Sequence, residues 1–269
     1  MVWWLAYIVL GLFTGFFAGM LGIGGGLVMV PTLTMMFAAQ AGFPPAEVLQ
    51  LALGTSMAAI LFTSLASLRA HHRHGAVLWR IVAQITPGIL VGTLLGTLFA
   101  STVPAKPLAI FFTAFVCLVA VQMIFNLKPR PARELPGAGG VFAVGSGIGA
   151  LSALVAIGGG SLTVPFLTWC NVRVQNAIGT SAAIGFPIAV GGSLGYIFNG
   201  WGHPGLPEWS LGYVYLPACI WLVPSSMLTA PLGAKLAHSL PVATLKRVFA
   251  GLLIVLAAKM LWGLFIGKG

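Results

Sequence analysis

Two similar glycine-rich segments interrupt this chain: GIGGGLVMVP at residues 22–31 and AIGGGSLTVP at residues 156–165. In both, consecutive glycines interrupt a long apolar run, and a proline follows them at the same distance. Glycines in series are poor helix formers because their backbone keeps its conformational freedom. Each stretch therefore predicts a full helix, a glycine break and then a short helical segment, at 27–39 and 161–171. At about 1.5 Å per residue, such a segment covers roughly half of a bilayer core.

The composition places the chain in a membrane. Of its 269 residues, 59% are hydrophobic and 6% are charged, whereas about a quarter of the residues in a soluble domain are charged. So few charges cannot cover the surface of a soluble domain of this length, which excludes soluble enzymes and nucleic-acid-binding proteins. The first residues, MVWWLAYIVLGLF, lack a cationic region and a cleavage site, so no removable signal peptide is expected.

Uncharged runs locate the membrane spans. They predict an all-α membrane protein with eight long transmembrane helices plus two short half-helices. Basic residues gather in alternate loops, which the positive-inside rule places in the cytoplasm, so both termini are expected outside it. The uncharged runs are 1–46, 48–68, 81–105, 107–127, 135–172, 174–207 and 209–234, followed by the apolar segment 248–266.

The two halves of the chain repeat each other. Besides the glycine stretches, ALGTSMAAI at 52–60 matches AIGTSAAIG at 177–185, in the same order. Each half holds five segments, and an odd number obliges the second half to enter from the opposite face. We therefore expect two inverted repeats, a common transporter architecture with its site at the midplane. The first repeat is 1–127, a cytoplasmic linker is 128–136, and the second repeat is 137–269.

The glycine breaks are the candidate binding site. A break exposes backbone N–H groups, and the following short helix directs its N-terminal dipole at the break, which favours an anion. Close helix packing is the alternative role for these glycines. Hydroxyls of the two GTS motifs, which we define as residues 54–56 and 179–181, can complete the anion site or bond to carbonyls of their own helices. The candidate substrate-binding residues are Gly24, Gly25, Gly26, Thr55, Ser56, Gly158, Gly159, Gly160, Ser161, Thr180 and Ser181.

The remaining polar residues and the cysteines are not assigned to the binding site. No Asp or Glu lies within a predicted span, so neither a proton relay of carboxylates nor a carboxylate site for a metal ion is expected. If a proton is transported, a histidine or the substrate itself must carry it. The histidines and arginines of 69–74 are interpreted as a solvated cytoplasmic loop, with metal binding as the less favoured alternative. Lys259 is expected to extend toward the membrane surface. Cys117, Cys170 and Cys219 are interpreted as small apolar filler. No metal or cofactor is expected.

The duplicated glycine–proline segment, the GTS element and the eight-helix length resemble the TauE/SafE family of sulfite exporters, also called toluene sulfonate uptake permeases. The resemblance covers nearly the whole chain. It implies a transporter of sulfur-containing or organic anions, such as sulfite, sulfoacetate or thiosulfate, in a bacterial inner membrane. The expected partners are a small anion and the lipid bilayer, not nucleic acid.

Three other functions stay open at this stage. An anion channel would use the same glycine-lined site with a continuous pore. An intramembrane enzyme would need a nucleophile and a base, and Cys170 has neither a histidine nor a carboxylate beside it in sequence. A membrane anchor fits the composition but leaves the repeated motifs unexplained. A secondary transporter working by alternating access is the leading hypothesis.

Overall fold

A computed structural model describes residues 3–21, 25–125, 133–237 and 242–265. Within these ranges the chain forms ten α-helices and one two-stranded antiparallel hairpin, in which β1 (Ser210–Leu211) pairs with β2 (Val214–Tyr215). Eight helices have 18 residues or more and two are short, α2 and α7. The helices are α1 (Trp3–Leu21), α2 (Gly26–Ala38), α3 (Val48–Arg73), α4 (Trp79–Thr102), α5 (Ala105–Ile124), α6 (Ala138–Val155), α7 (Gly160–Trp169), α8 (Val174–Asn199), α9 (Leu216–Ala237) and α10 (Val242–Phe265).

Seven of the long helices in the described ranges are apolar and long enough to cross a membrane: α1, α3, α4, α5, α6, α8 and α9. The fold is therefore that of a multi-pass helical membrane protein, as the composition predicted. The sequence of elements, with a short helix after the first and sixth helices, is also the predicted one.

Two helix boundaries differ from the sequence-based prediction. Helix α3 continues to Arg73 instead of ending near residue 68, so the turn before α4 is only 74–78. Helix α9 begins at Leu216, because the hairpin 210–215 occupies the start of the run that was assigned to it. The linker predicted at 128–136 lies partly outside the described residues, and 133–137 precede α6 without helical structure.

Glycine stripes hold the outer helices together. Along α1, Gly11, Gly15 and Gly19 face backbone carbonyls of α9, and along α4 three further glycines face α6 in the same way. A Cβ at any of these positions would collide with the opposing backbone. Small residues at every fourth position let two membrane helices approach closely and pack by van der Waals contact. The glycines on α4 are Gly88, Gly92 and Gly96.

Helices α3 and α8 form the centre of the molecule. They pack against each other; α2 and α9 also pack on α3, and α7 and α4 pack on α8. In each of the two helices, 16 of the 26 residues are buried. The most extensive helix pairs are preserved when α1–α5 are exchanged with α6–α10: the α1–α9 pair becomes the α6–α4 pair, and the α3–α8 and α5–α10 pairs map onto themselves. The repeated sequence motifs thus lie on elements with equivalent neighbours.

Candidate functional site at the glycine breaks

The two glycine breaks have the same backbone conformation. Gly25 precedes α2 with φ 79°, and Gly159 precedes α7 with φ 88°. This left-handed region is open to glycine and strained for other residues, which explains why glycine occupies both positions. The short helices begin immediately afterwards, at Gly26 and Gly160. Gly24, which the sequence also assigned to this site, lies outside the described residues.

The breaks meet near the middle of the central helix pair. Gly26 lies directly against the carbonyl oxygen of Ala156, and Ile60 of α3 packs on the same glycine. On α8, Gly185 packs closely on the second break, since a Cβ at this position would lie 2.6 Å from the carbonyl oxygen of Gly158. Ile60 and Gly185 are both near the midpoint of their helices, Val48–Arg73 and Val174–Asn199. The structure therefore brings the two breaks together at mid-depth of the molecule.

The first turn of α7 carries free polar groups. The N–H groups of Leu162 and Thr163 bond to the carbonyl oxygen of Gly159, at 3.1 and 2.7 Å. The N–H groups of Gly160 and Ser161, as the first two residues of the helix, have no intrahelical acceptor. The hydroxyls of Ser161 and Thr163 are buried and have no hydrogen-bond partner in the described part of the chain. Such buried donors are suited to an anionic ligand.

Thr163 was missed by sequence reasoning. It stands where the first glycine stretch has Met29, so the comparison of the two stretches contained the signal: an apolar residue in one repeat is replaced by a hydroxyl in the other. Ser161 likewise stands opposite Leu27. The two breaks therefore share a backbone but differ in polarity. Ser152, in the last turn of α6, adds another buried hydroxyl without a partner among the described residues.

The GTS motifs are docking points for two connectors, which we define as residues 74–78 between α3 and α4, and residues 200–215 between α8 and α9. The hydroxyl of Thr180 accepts the N–H of Leu78 at 3.0 Å, and the hydroxyl of Thr55 accepts the N–H of Tyr215, also at 3.0 Å. Gly179 and Gly54 leave room for the carbonyls of Ala76 and Tyr213 respectively. Each connector thus docks on the motif of the other repeat.

The two motifs lie at opposite ends of the central pair. Connector 200–215 is also bound to the last turn of α8, because Tyr213 donates its N–H to the carbonyl of Tyr196 at 3.2 Å. Thr55 therefore lies beside the end of α8, whereas Thr180 lies in its second turn, 16 residues or about 24 Å away along the helix axis. The hydroxyls of one motif cannot share a small anion with those of the other.

The serines of the two GTS motifs, unlike the threonines, do not bind the connectors. The hydroxyls of Ser56 and Ser181 are fully buried and have no hydrogen-bond partner in the described ranges. They belong to the same turns as Thr55 and Thr180 and are therefore also separated from each other. The sequence placed the motifs at the start of their helices; the structure places them one turn further in.

A small polar cluster fixes connector 200–215. Burial and the neighbouring Glu47 carboxylate raise the pKa of Tyr213, so its hydroxyl stays protonated and is available to donate to that carboxylate. The imidazole of His203 lies 3.7 Å from the same carboxylate. Glu47 immediately precedes α3. It therefore ties the start of α3 to the connector that docks on Thr55.

The helices of the described ranges contain no carboxylate, since Glu47, Glu134 and Glu208 all lie outside them. No cluster of three or more His, Cys, Asp or Glu suited to a metal ion occurs in that part of the chain. The three cysteines are free. Lys259 is exposed on α10.

One interpretation of the basic cluster is wrong. His71 is not part of a solvated loop: it lies inside α3 and only 1% of its surface is exposed. Its neighbours His72, Arg73 and His74 are exposed, as expected. The helix extends one turn further than the charge pattern indicated, and this places His71 on the buried side.

A cavity of about 670 Å³ opens between α1, α2 and α10. Thr32 is the single residue with a polar side chain in its lining; the remaining side chains are apolar, among them Leu5, Val9 and Met36. It offers no group that would hold an anion. The glycine breaks, with their free N–H groups and hydroxyls, are the better candidate site.

Comparisons with known proteins identify the family to which the chain is similar. Residues 7–260 match the family described as "Sulfite exporter TauE/SafE". A "Probable membrane transporter protein" of Haemophilus influenzae is 38% identical over 255 residues, which cover 94% of this chain and 96% of the relative. YunE of Bacillus subtilis, with the same description, is 25% identical over 96% of this chain and 97% of its own length.

A third relative comes from the archaeon Methanocaldococcus jannaschii; it is also described as a probable membrane transporter protein, and is 26% identical over 94% of both chains. No solved structure matches the chain significantly. The family match spans nearly the whole molecule, including both glycine breaks and both GTS motifs. This chain therefore belongs to the TauE/SafE sulfite exporter family of membrane transporters.

Proposed function

We propose that this protein is a secondary transporter of small anions, namely sulfur-containing oxyanions or organosulfonates, which works by alternating access between two inverted repeats. The observation that best supports this proposal is that the two glycine breaks meet halfway along α3 and α8. Each break is followed by the N-terminus of a short helix. Two helix N-termini directed at one region make it electropositive. The absence of carboxylates from the described helices leaves that field uncompensated.

The anion is held by this chain's own donors. The free N–H groups of Gly160 and Ser161 bind its oxygens, and the hydroxyls of Ser161 and Thr163 donate to the same oxygens. The equivalent turn of α2 contributes the N–H groups that follow Gly25. Because α2 carries Leu27 and Met29 where α7 carries hydroxyls, one side of the site is polar and the other apolar. Such a site suits an oxyanion with or without a small organic group.

The connectors serve as the two gates. Each docks on the GTS motif of the other repeat, and the motifs lie at opposite ends of α3 and α8. Undocking connector 74–78 opens the site toward one face, and undocking connector 200–215 opens it toward the other. The positive-inside rule assigns the end that bears Arg69, Arg73, Arg80 and Arg173 to the cytoplasm. The protein then resides in the bacterial inner membrane with both termini outside the cytoplasm.

Flux measurements with purified protein in liposomes test this function. We expect counterflow of at least one anion from a panel of sulfite, thiosulfate, sulfate, sulfoacetate and methanesulfonate, and none of sodium, potassium or choline. Transport of cations in preference to anions would contradict the electropositive site. Unitary currents far above the turnover of a carrier would instead identify an anion channel.

Hydroxyl substitutions test the site itself. Thr163→Val and Ser161→Ala remove donors to an anion, and each is expected to weaken its apparent affinity roughly ten- to hundredfold, since a hydrogen bond to a charged group contributes about 1.5–3 kcal/mol. Thr34→Val in α2 is the matched control, because the Thr34 hydroxyl bonds to the carbonyl of Val30 in its own helix. Equal effects in all three variants would exclude a binding role for the α7 hydroxyls.

A further inference from the structure

We propose that four buried serines of α3 and α8 line two access paths to the glycine breaks, one path for each gate, and contact the anion as it passes. The inference rests on the proposed alternating-access function and adds a binding position on either side of the central site. The four, which we call the path serines, are Ser56 and Ser193 on one path and Ser67 and Ser181 on the other.

The path serines share an unusual property. All four side chains are buried, and none of their hydroxyls has a hydrogen-bond partner in the described part of the chain. A helical serine ordinarily bonds to a carbonyl of its own helix, as Ser64 does with Leu61 and Ser225 does with Trp221. Buried polar groups are nearly always hydrogen-bonded, and the exceptions call for an explanation such as a water or an ion. The four hydroxyls are therefore donors that a passing ligand can use.

On α3, two path serines share the helix face that packs on the first glycine break. Ile60 packs on Gly26, the first residue of α2. Ser56 precedes Ile60 by four residues, and Ser67 follows it by seven. Residues at these spacings lie on one face of an α-helix. The break is thus flanked along α3 by one unpartnered hydroxyl on either side.

Helix α8 repeats this arrangement at the second break. Gly185 packs on the carbonyl of Gly158. Ser181 precedes Gly185 by four residues, and Ser193 follows it by eight. These spacings again belong to one helix face. Both central helices therefore carry a buried serine above and below the position at which they contact a break.

Ser56 and Ser193 lie at one level of the antiparallel α3–α8 pair. A Cβ at Gly192 would lie 2.9 Å from the sulfur of Met57. One step back along α3 and one step forward along α8 lead from this contact to Ser56 and Ser193. The connector that docks on Thr55 is next to this level, since Thr55 directly precedes Ser56. These two serines therefore lie between the breaks and one gate.

Ser67 and Ser181 lie at a second level, on the opposite side of the breaks. Gly185 packs beside Ser64, and three steps forward along α3 and four steps back along α8 lead to Ser67 and Ser181. Ser181 directly follows Thr180, which binds the other connector. The two levels are about 16 Å apart along α3, at about 1.5 Å per residue. Each gate thus has its own pair of serines.

The chemistry of the hydroxyls suits a path rather than a tight site. While a connector is docked, the hydroxyls on its side are sealed without partners, which disfavours the docked state. Undocking admits water and the anion, and each hydroxyl can then donate to an anion oxygen. A neutral hydroxyl holds an anion less tightly than a charged group does, and transport requires binding that is weak enough for release.

Cysteine labelling tests this inference without a known substrate. Each path serine is replaced singly by cysteine, in a background with the three native cysteines replaced. A membrane-impermeant methanethiosulfonate is added to one face of oriented membrane vesicles. Ser56→Cys and Ser193→Cys should react from the face of connector 200–215, and Ser67→Cys and Ser181→Cys from the opposite face. Each rate from the correct face should exceed that of a permanently buried thiol at least about tenfold, since even a minor open state exposes the path.

Ser226→Cys is the matched control. Ser226 is also fully buried, but its hydroxyl lies 2.9 Å from that of Thr63 and 2.9 Å from the carbonyl of Val223. Its variant should stay unlabelled from both faces, whereas an unfolded protein would label there too. Path-serine variants that react no faster than Ser226→Cys, or equally fast from both faces, would overturn the inference.

Gate variants test which connector covers which serine. Thr55→Val removes the acceptor for the N–H of Tyr215 and should raise the labelling rate of Ser56→Cys, but not that of Ser181→Cys. Thr180→Val should have the reverse effect. The same response of both cysteines to both gate variants would contradict two separate paths.

Flux separates this inference from the proposed function. Saturating methanesulfonate, or sulfate if methanesulfonate is not transported, should slow labelling of the path serines several-fold. Labelling that ignores an anion which the protein transports would overturn anion contact with these hydroxyls. Anion counterflow with path serines as unreactive as Ser226→Cys would overturn the inference and leave anion transport standing. Face-specific labelling in a protein that transports none of the anions would overturn the proposed function and leave the two paths standing.

Discussion

At the scale of single residues, Gly25 and Gly159 set the backbone that the site requires. Their φ angles of 79° and 88° strain any other residue by about 1–2 kcal/mol. Gly25→Leu and Gly159→Leu are each expected to abolish anion flux while membrane insertion persists, since the side chain would move the first-turn N–H groups. Flux and the amount of inserted protein are measured together.

The matched control for this prediction is Gly147→Leu. Gly147 lies in α6 with open space around the position that a Cβ would occupy. Its variant should retain wild-type flux. Normal flux in the Gly25 and Gly159 variants would mean that these glycines serve only to pack helices.

Thr180 is expected to contribute stability through one hydrogen bond. Thr180→Val leaves the partly buried N–H of Leu78 without an acceptor. A fully buried unsatisfied donor costs about 1–3 kcal/mol, so we expect a loss toward the lower end of that range. Thr180→Ser keeps the hydroxyl and should lose less. Unfolding of the detergent-solubilised variants measures the difference. Equal stability of the valine and serine variants would show that the hydrogen bond contributes nothing.

At the scale of helices, close glycine contacts determine which elements pair. Gly92 of α4 faces the carbonyl of Ser146, and Gly92→Val would drive the two backbones apart. Overpacking typically costs about 1–3 kcal/mol, and more where backbone meets backbone. We expect a strongly destabilised protein, measured by thermal unfolding in detergent. Gly251→Val, in open space on α10, is the comparison, and similar melting temperatures for both variants would contradict the role of the stripe.

At the scale of the whole molecule, the proposed inverted-repeat arrangement predicts a specific topology. A reporter at the C-terminus should lie outside the cytoplasm, and a tag within residues 128–136 should lie inside it. An odd number of helices per repeat makes the two positions face opposite compartments. Fusions with a periplasmic and a cytoplasmic reporter at each position measure this. The same compartment for both positions would be incompatible with inverted repeats.

Much of the architecture follows from local patterns. Long apolar runs have no alternative to helices in a bilayer, because every backbone group must be hydrogen-bonded there. The glycine runs break them, so the start of α2 at Gly26 and of α7 at Gly160 could be predicted to within a residue. The boundaries that differ, the end of α3 and the hairpin before α9, involve polar or mixed sequence, where hydropathy carries little information.

The site was only partly predictable. Gly25, Gly26, Gly159, Gly160 and Ser161 are positioned by the breaks themselves, and the repeated motif reveals them. That the GTS hydroxyls complete the site at these glycines stays a prediction, because sequence similarity between two motifs does not tell whether they converge. The antiparallel packing of α3 and α8 places the motifs at opposite ends, where Thr55 and Thr180 bind connectors.

Composition and local sequence are enough to specify the membrane class, the order of long and short helices and the duplicated motifs, since each depends on residue content or on contacts close in the chain. Tertiary structure alone decided that the breaks touch, that each connector docks on the other repeat, and that His71 is buried. These depend on contacts between residues up to 160 positions apart, such as Tyr215 with Thr55. Local periodicity cannot specify them, because many helix arrangements satisfy the same apolar pattern.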